Sequence, residues 1–213
     1  MFALQRRTQI LVALAALGAV GMFFGPDGWL GIDVGAVGAA VLYAAIWLFV
    51  IHLSRAPTGI FPEQASQAER QGWVSLAFVL LIACNFLNFI VALPALGEAA
   101  DRLSNPASRQ FGINLGMLIV AWSVVAKIVR AQDTDGIESD ERDLRIQHGA
   151  QRMAGGLMSM LILGLVALLA IFPEQAQPWM RPLIVGNVLL GLLIAHTLAE
   201  SIHRVARYTR QRQ

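Results

Sequence analysis

The sequence predicts an all-α polytopic membrane protein: a six-transmembrane-helix bundle in three helical hairpins, with both termini in the cytoplasm. Three observations carry that prediction. Hydrophobic residues fill 56% of the 213 positions and charged residues 14%, against about 25% charged in ordinary soluble domains; the mean hydropathy is +0.60. Apolar runs of about 20 residues, the length that crosses a ~30 Å hydrocarbon layer, recur along the whole chain. Arginine and lysine gather at alternate ends of those runs, as they do when one side of a membrane is favoured.

The first run covers 8–24, preceded by Arg6 and Arg7 and closed by Gly25, Pro26, Asp27 and Gly28. A basic start, an apolar stretch and small residues at Ala16 to Ala19 also fit a cleavable leader. The short turn into a second run favours retention, so that the pair forms one hairpin. The second run, 30–53, contains Gly31, Gly35 and Gly38 and ends near His52 and Arg55. Small residues at such spacing form a packing face that another helix approaches closely.

A loop with Pro57 and Pro62 leads to the third run, 73–96, which holds Asn85, Asn88 and the lone cysteine, Cys84. With a single cysteine there is no disulfide framework. The fourth run, 111–129, carries Asn114 near its start and Lys127 and Arg130 at its close. The fifth, 153–172, stops at Pro173; the sixth, 183–203, follows Pro182, a residue suited to the first helical position.

Hydrogen bonding decides why these runs are helices. Every unpaired backbone group costs several kcal/mol in lipid, so a span closes its own bonds as a helix or joins a closed barrel. Barrel strands alternate polar and apolar residues over about ten positions. These runs are apolar all round.

With the N-terminus inside, cytoplasmic segments hold thirteen of the arginines and lysines, and the opposite side holds only Arg102, Arg109 and Arg181. That imbalance predicts N-in/C-in threading of an inner membrane. The sequence pI of about 9.2 is therefore a matter of topology, and no nucleic acid is expected. No phosphate loop or zinc-finger spacing is present.

The longest polar interruption is the connector 130–152, with six of the fourteen acids and four of the sixteen bases. Ser139 is placed to cap a helix whose first turn holds Asp140 and Glu141. Glu138 with Arg142 and Glu141 with Arg145 are acid-first i,i+4 pairs. Ile146, Ala150, Met153 and Leu157 continue a stripe into the fifth run, which predicts a cytoplasmic helix continuous with that span. The string Asp140, Glu141, Arg142, Asp143, followed by Ile146, Gly149 and Arg152, resembles a DERD-type motif of small, uncharacterised bacterial multi-span membrane proteins. That resemblance implies a membrane protein and no particular activity.

Polar residues inside spans are costly and invite a functional reading. His196, Glu200 and His203 share one helical face, with His52 at the same end of its own span, and imidazole and carboxylate suit a metal or haem. The competing reading has Glu200 paired with Arg204 at i+4. Asn85, Asn88, Asn114 and Asn187 are candidates to line an outer pocket, as a small permease needs; more often such asparagines bond across helices. Ser75, Ser123, Ser159 and Ser201 lack the surroundings of a nucleophile.

The leading expectation is therefore a non-enzymatic interaction or regulatory protein of an inner membrane. Its contact surface is the connector at 138–149, centred on Asp140, Glu141, Arg142 and Asp143, with a mixed acidic face suited to a basic cytoplasmic protein partner. No cofactor is expected under that reading. Gly-rich helix faces are candidates for homo-oligomer contacts, and the other partner is the bilayer itself.

Overall fold

A computed structural model describes residues 2–25, 33–55, 66–92, 106–131, 141–172 and 182–210. Among them there are six helices and no strand: α1 (Phe2–Phe24), α2 (Val34–Arg55), α3 (Gln67–Ala92), α4 (Pro106–Ala131), α5 (Glu141–Ile171) and α6 (Pro182–Arg210). The five from α2 to α6 are long and apolar enough to cross a membrane, and α1 contributes a shorter apolar stretch, Gln9–Phe24.

Helix boundaries depart from the apolar runs where polar residues start or prolong a helix. α3 begins at Gln67 rather than near Trp73, because Ser66 and Glu69 form an S-x-x-E cap: the Glu69 amide donates to Ser66 Oγ at 3.2 Å. Asp33 caps α2 the same way, accepting from the Ala36 amide at 2.9 Å. α4 opens at Pro106, where a missing N–H costs nothing. At the other end of the chain, α6 continues seven residues past His203 to Arg210.

Contacts divide the chain into two compact units, Met1–Val74 with Gly112–Gly136, and Ser75–Phe111 with Ile137–Gln213. In the first, α1 and α2 pack as a close hairpin. A methyl group built on Gly18 would sit 2.4 Å from the Leu42 amide nitrogen, and one on Gly38 would sit 2.2 Å from that of Met22. Backbone thus touches backbone, and only glycine fits there. Gly38 was expected on such a face; its partners Gly18 and Gly21 were not. Gly35 lies instead beside the Asp33 cap, and Gly31 falls outside the described residues.

The core of this unit also takes a stripe from α4, Asn114, Leu118, Ala121, Val125 and Val129, all buried. Their spacing of three and four keeps them on one helical face. The Tyr43 hydroxyl of α2 donates to the Asn114 carbonyl at 3.2 Å. Gln67, at the start of α3, donates to the carbonyl of Arg130, at the end of α4, at 3.3 Å. That contact joins the start of α3 to the end of α4.

In the second unit Phe111 packs onto α3. Its ring stacks on Phe89 at 4.5 Å between centroids, and its carbonyl accepts from Asn85 Nδ2 at 3.4 Å. Gly191 of α6 lies against the Phe86 ring, about 3.1 Å from where a methyl would stand. The remaining close pair is α5 with α6, and it carries the candidate site.

Candidate functional site

One helix carries both the end of the polar connector and the fifth apolar run: α5 extends unbroken from Glu141 to Ile171. Its buried residues are Asp143, Ile146, Ala150 and Ala154, a stripe at intervals of three and four. On α6 the matching buried stripe is Ile194, Ser201, Val205 and Tyr208. Ala150 and Ala154 are 0% exposed, and such short side chains let the two helices approach closely.

The polar end of this contact is closed by a hydrogen bond. The Tyr208 hydroxyl donates to Asp143 Oδ1 at 2.9 Å, both side chains being buried. A carboxylate so placed needs donors to offset its desolvation. Tyr208 supplies one from 65 positions along the chain, holding the first turns of α5 against the last turns of α6.

Burying Asp143 changes the character of the outer face. Arg142, Arg145, Arg152, Arg207 and Arg210 are exposed. Glu141 is exposed too and lies 4.0 Å from Arg145, the expected acid-first pair. At 81% and 92% side-chain exposure for Arg145 and Glu141, that pair contributes at most about 0.5 kcal/mol. The acidic face anticipated from the motif is thus reduced, among the described residues, to Glu141; Asp140, Ser139 and Glu138 lie outside them.

Arg142, Arg145 and Arg207 line an open cavity of about 630 Å³, together with Ile146 and Gly149. Arg207 Nε also donates to His203 Nε2 at 3.3 Å. Glu200 is committed to an ion pair with Arg204 in a half-buried setting, as its i+4 spacing anticipates. The cavity thus gathers three arginine side chains from two helices, two of them with partners on their own helix.

The remaining candidates fare differently. Asn85 is buried and bonded to Phe111, the inter-helical role; Asn88 is exposed and Asn187 half-buried. Asn114 is buried in the other unit. The apolar cavity of about 340 Å³ in that unit is lined by Tyr43, Trp47, Gly112, Ile113, Gly116, Met117, Val120 and Ala121, none of them an asparagine.

Among the described residues no three His, Cys, Asp or Glu side chains gather as a metal set. Glu200 and His203 are engaged by arginines on their own helix, His196 Nδ1 is buried with no partner among the described residues, and His52 lies half-buried in the other unit. Ser123 and Ser159 donate to carbonyls one turn back, at 2.9 and 3.0 Å, the usual fate of a serine within a helix.

Sequence reasoning missed Arg207 and Tyr208 as parts of the site. A signal was present: Ile194, Ser201, Val205 and Tyr208 share one helical face, and that face continues past the apolar run. Comparison with protein-family models, curated proteins and solved structures finds no match for this chain.

Proposed function

We propose that this chain is a non-enzymatic interaction or regulatory protein of a bacterial-type inner membrane, with both termini in the cytoplasm. Its working surface is the head formed where α5 and α6 extend beyond their apolar stretches. The single observation that carries this reading is the Tyr208–Asp143 hydrogen bond between two buried side chains. A solvated loop of charges needs no such clasp, whereas a surface presented to a partner gains from being held in one shape.

The thirteen-to-three distribution of basic residues supports a cytoplasmic location for this head. Among the described residues its exposed charge is mainly arginine, which suits an anionic partner. Comparison of what co-purifies from native membranes with the wild-type chain and with R142Q/R145Q/R207Q tests the proposal. The expected result is loss of one or more specific components with retention of the folded, detergent-soluble protein. An unchanged set of components on a folded triple variant would overturn it.

A further inference from the structure

We infer that the outward face of α3 binds the same face of a second copy of this chain, with Asn88 opposite Asn88 across a two-fold axis along the membrane normal. The inference goes beyond the proposed function, since it concerns another helix and needs nothing from the arginine head. Three observations converge on it.

The first is the pattern. Ala77, Leu80, Cys84, Leu87 and Val91 are exposed, and their spacing alternates three and four. That is the seam a left-handed helix pair uses. With Asn88, which is exposed too, they occupy an arc of about 100° and about 21 Å of helix axis. The opposite arc is taken up inside the chain, where Phe78, Ile82, Asn85 and Phe89 are buried.

The second is chemical. Asn88 stands within Gln67–Val91, a stretch long and apolar enough to cross a membrane, and the apolar run continues after it in the sequence from Phe89 to Leu96. Asn85 meets its need inside the chain, at the Phe111 carbonyl. The Asn88 amide makes no hydrogen bond among the described residues, and hydrocarbon tails supply neither donor nor acceptor. Lipid solvates the leucines and valine of this face as well as protein does; it does not solvate the amide.

The third is symmetry. A carboxamide carries both a donor and an acceptor, so each copy supplies what the other lacks. Copies inserted with the same topology hold Asn88 at the same depth, and a two-fold axis along the membrane normal sets each amide against its equivalent. Such a contact needs no further component, whereas a different protein would have to carry a polar group at that one depth. Polar side chains join membrane helices in this way. The same axis brings Cys84, one turn before Asn88, toward its own equivalent.

The test reconstitutes the full chain in phosphatidylcholine liposomes over a series of protein-to-lipid ratios, with copies labelled enzymatically at the C-terminus by a donor or an acceptor dye. Förster transfer should fall on dilution, as a dimer dissociates. N88L, which suits lipid and spares the fold, should raise the dissociation constant about tenfold, the effect of two inter-helical hydrogen bonds. N88Q keeps donor and acceptor and should retain most of the association. Mild oxidation should link two wild-type copies through Cys84, the only cysteine, and the yield should drop in N88L.

Transfer no greater than random proximity gives, at every ratio, would leave the face to lipid and overturn the inference. Transfer unchanged in N88L, or a dimer that Cys84 does not link, would move the contact away from this face and overturn it too. So would a monomeric wild-type chain that retains a different protein from native membranes and loses it in N88L, because the face would then belong to another partner.

Discussion

Hairpin α1/α2 and hairpin α5/α6 each bring together two consecutive helices, but they touch at different depths and through different atoms. In α1/α2 the contact lies within the apolar segments and is made by backbone, with Gly18 and Gly21 against Gly38 and Leu42. In α5/α6 it lies toward the polar ends and is made by side chains: Asp143 on Tyr208, with Ala150 and Ala154 as the close-approach residues. The apolar part of α5 beyond Ala154 is largely exposed, Met160 at 74% and Ile171 at 68%. Gly155, Gly156 and Gly164 of that segment meet nothing within 4 Å.

The contrast teaches what holds helices together in lipid. Hydrocarbon tails solvate leucine as well as another helix does, so apolar side chains alone give no reason to associate. One hairpin gains its contact by removing side chains so that backbones pack. The other gains it where the helices leave the apolar layer, through a buried hydrogen bond and the close packing of alanines. The first is a structural joint; the second leaves Arg142, Arg145 and Arg207 exposed.

The largest predicted effect strikes the glycine joint. Gly38→Val places a branched side chain where even a methyl stands 2.2 Å from the Met22 nitrogen, and should cost about 3 kcal/mol or more, at or above the usual range for overpacking. Unfolding in mixed detergent micelles measures it, and a near-neutral result would mean that the two backbones are not in contact.

A smaller effect is expected at the polar clasp. Tyr208→Phe removes one donor to a buried carboxylate and should cost about 1.5–3 kcal/mol, the range for hydrogen bonds to charged groups. Amide exchange should rise in Glu141–Arg152 while α1 and α2 stay protected. Exchange unchanged in that segment would show that the extension does not depend on the bond. The smallest effect belongs to the open glycines: Gly164→Ala should leave stability unchanged or raise it by no more than about 1 kcal/mol through helix propensity. Destabilisation there would reveal a contact on α5 that this chain alone does not make.

Much of this was legible in the sequence, for reasons that differ from element to element. Helical spans follow from apolar run length, the Glu200–Arg204 and Glu141–Arg145 pairs from i+4 spacing, and the continuity of the connector with the fifth run from the stripe through Ile146 and Ala150. These are local rules. The burial of Asp143 was not legible, because its partner Tyr208 is 65 positions away and a run of charges reads locally as a solvated face. The arginine cavity is long-range in the same way, since Arg207 lines it together with Arg142 and Arg145. That Asn85 bonds the Phe111 carbonyl is likewise visible only in the fold, because the spacing of asparagines names no particular partner.

The central claim is that the arginine head of α5 and α6 faces the cytoplasm and is open to it. Cys84 is the only cysteine in the chain, so a C84S background carrying R145C reports on that face alone. A membrane-impermeant maleimide should leave it unlabelled in cells with an intact inner membrane and label it readily in inverted vesicles. Labelling in intact cells, or none in either preparation of folded protein, would contradict the account.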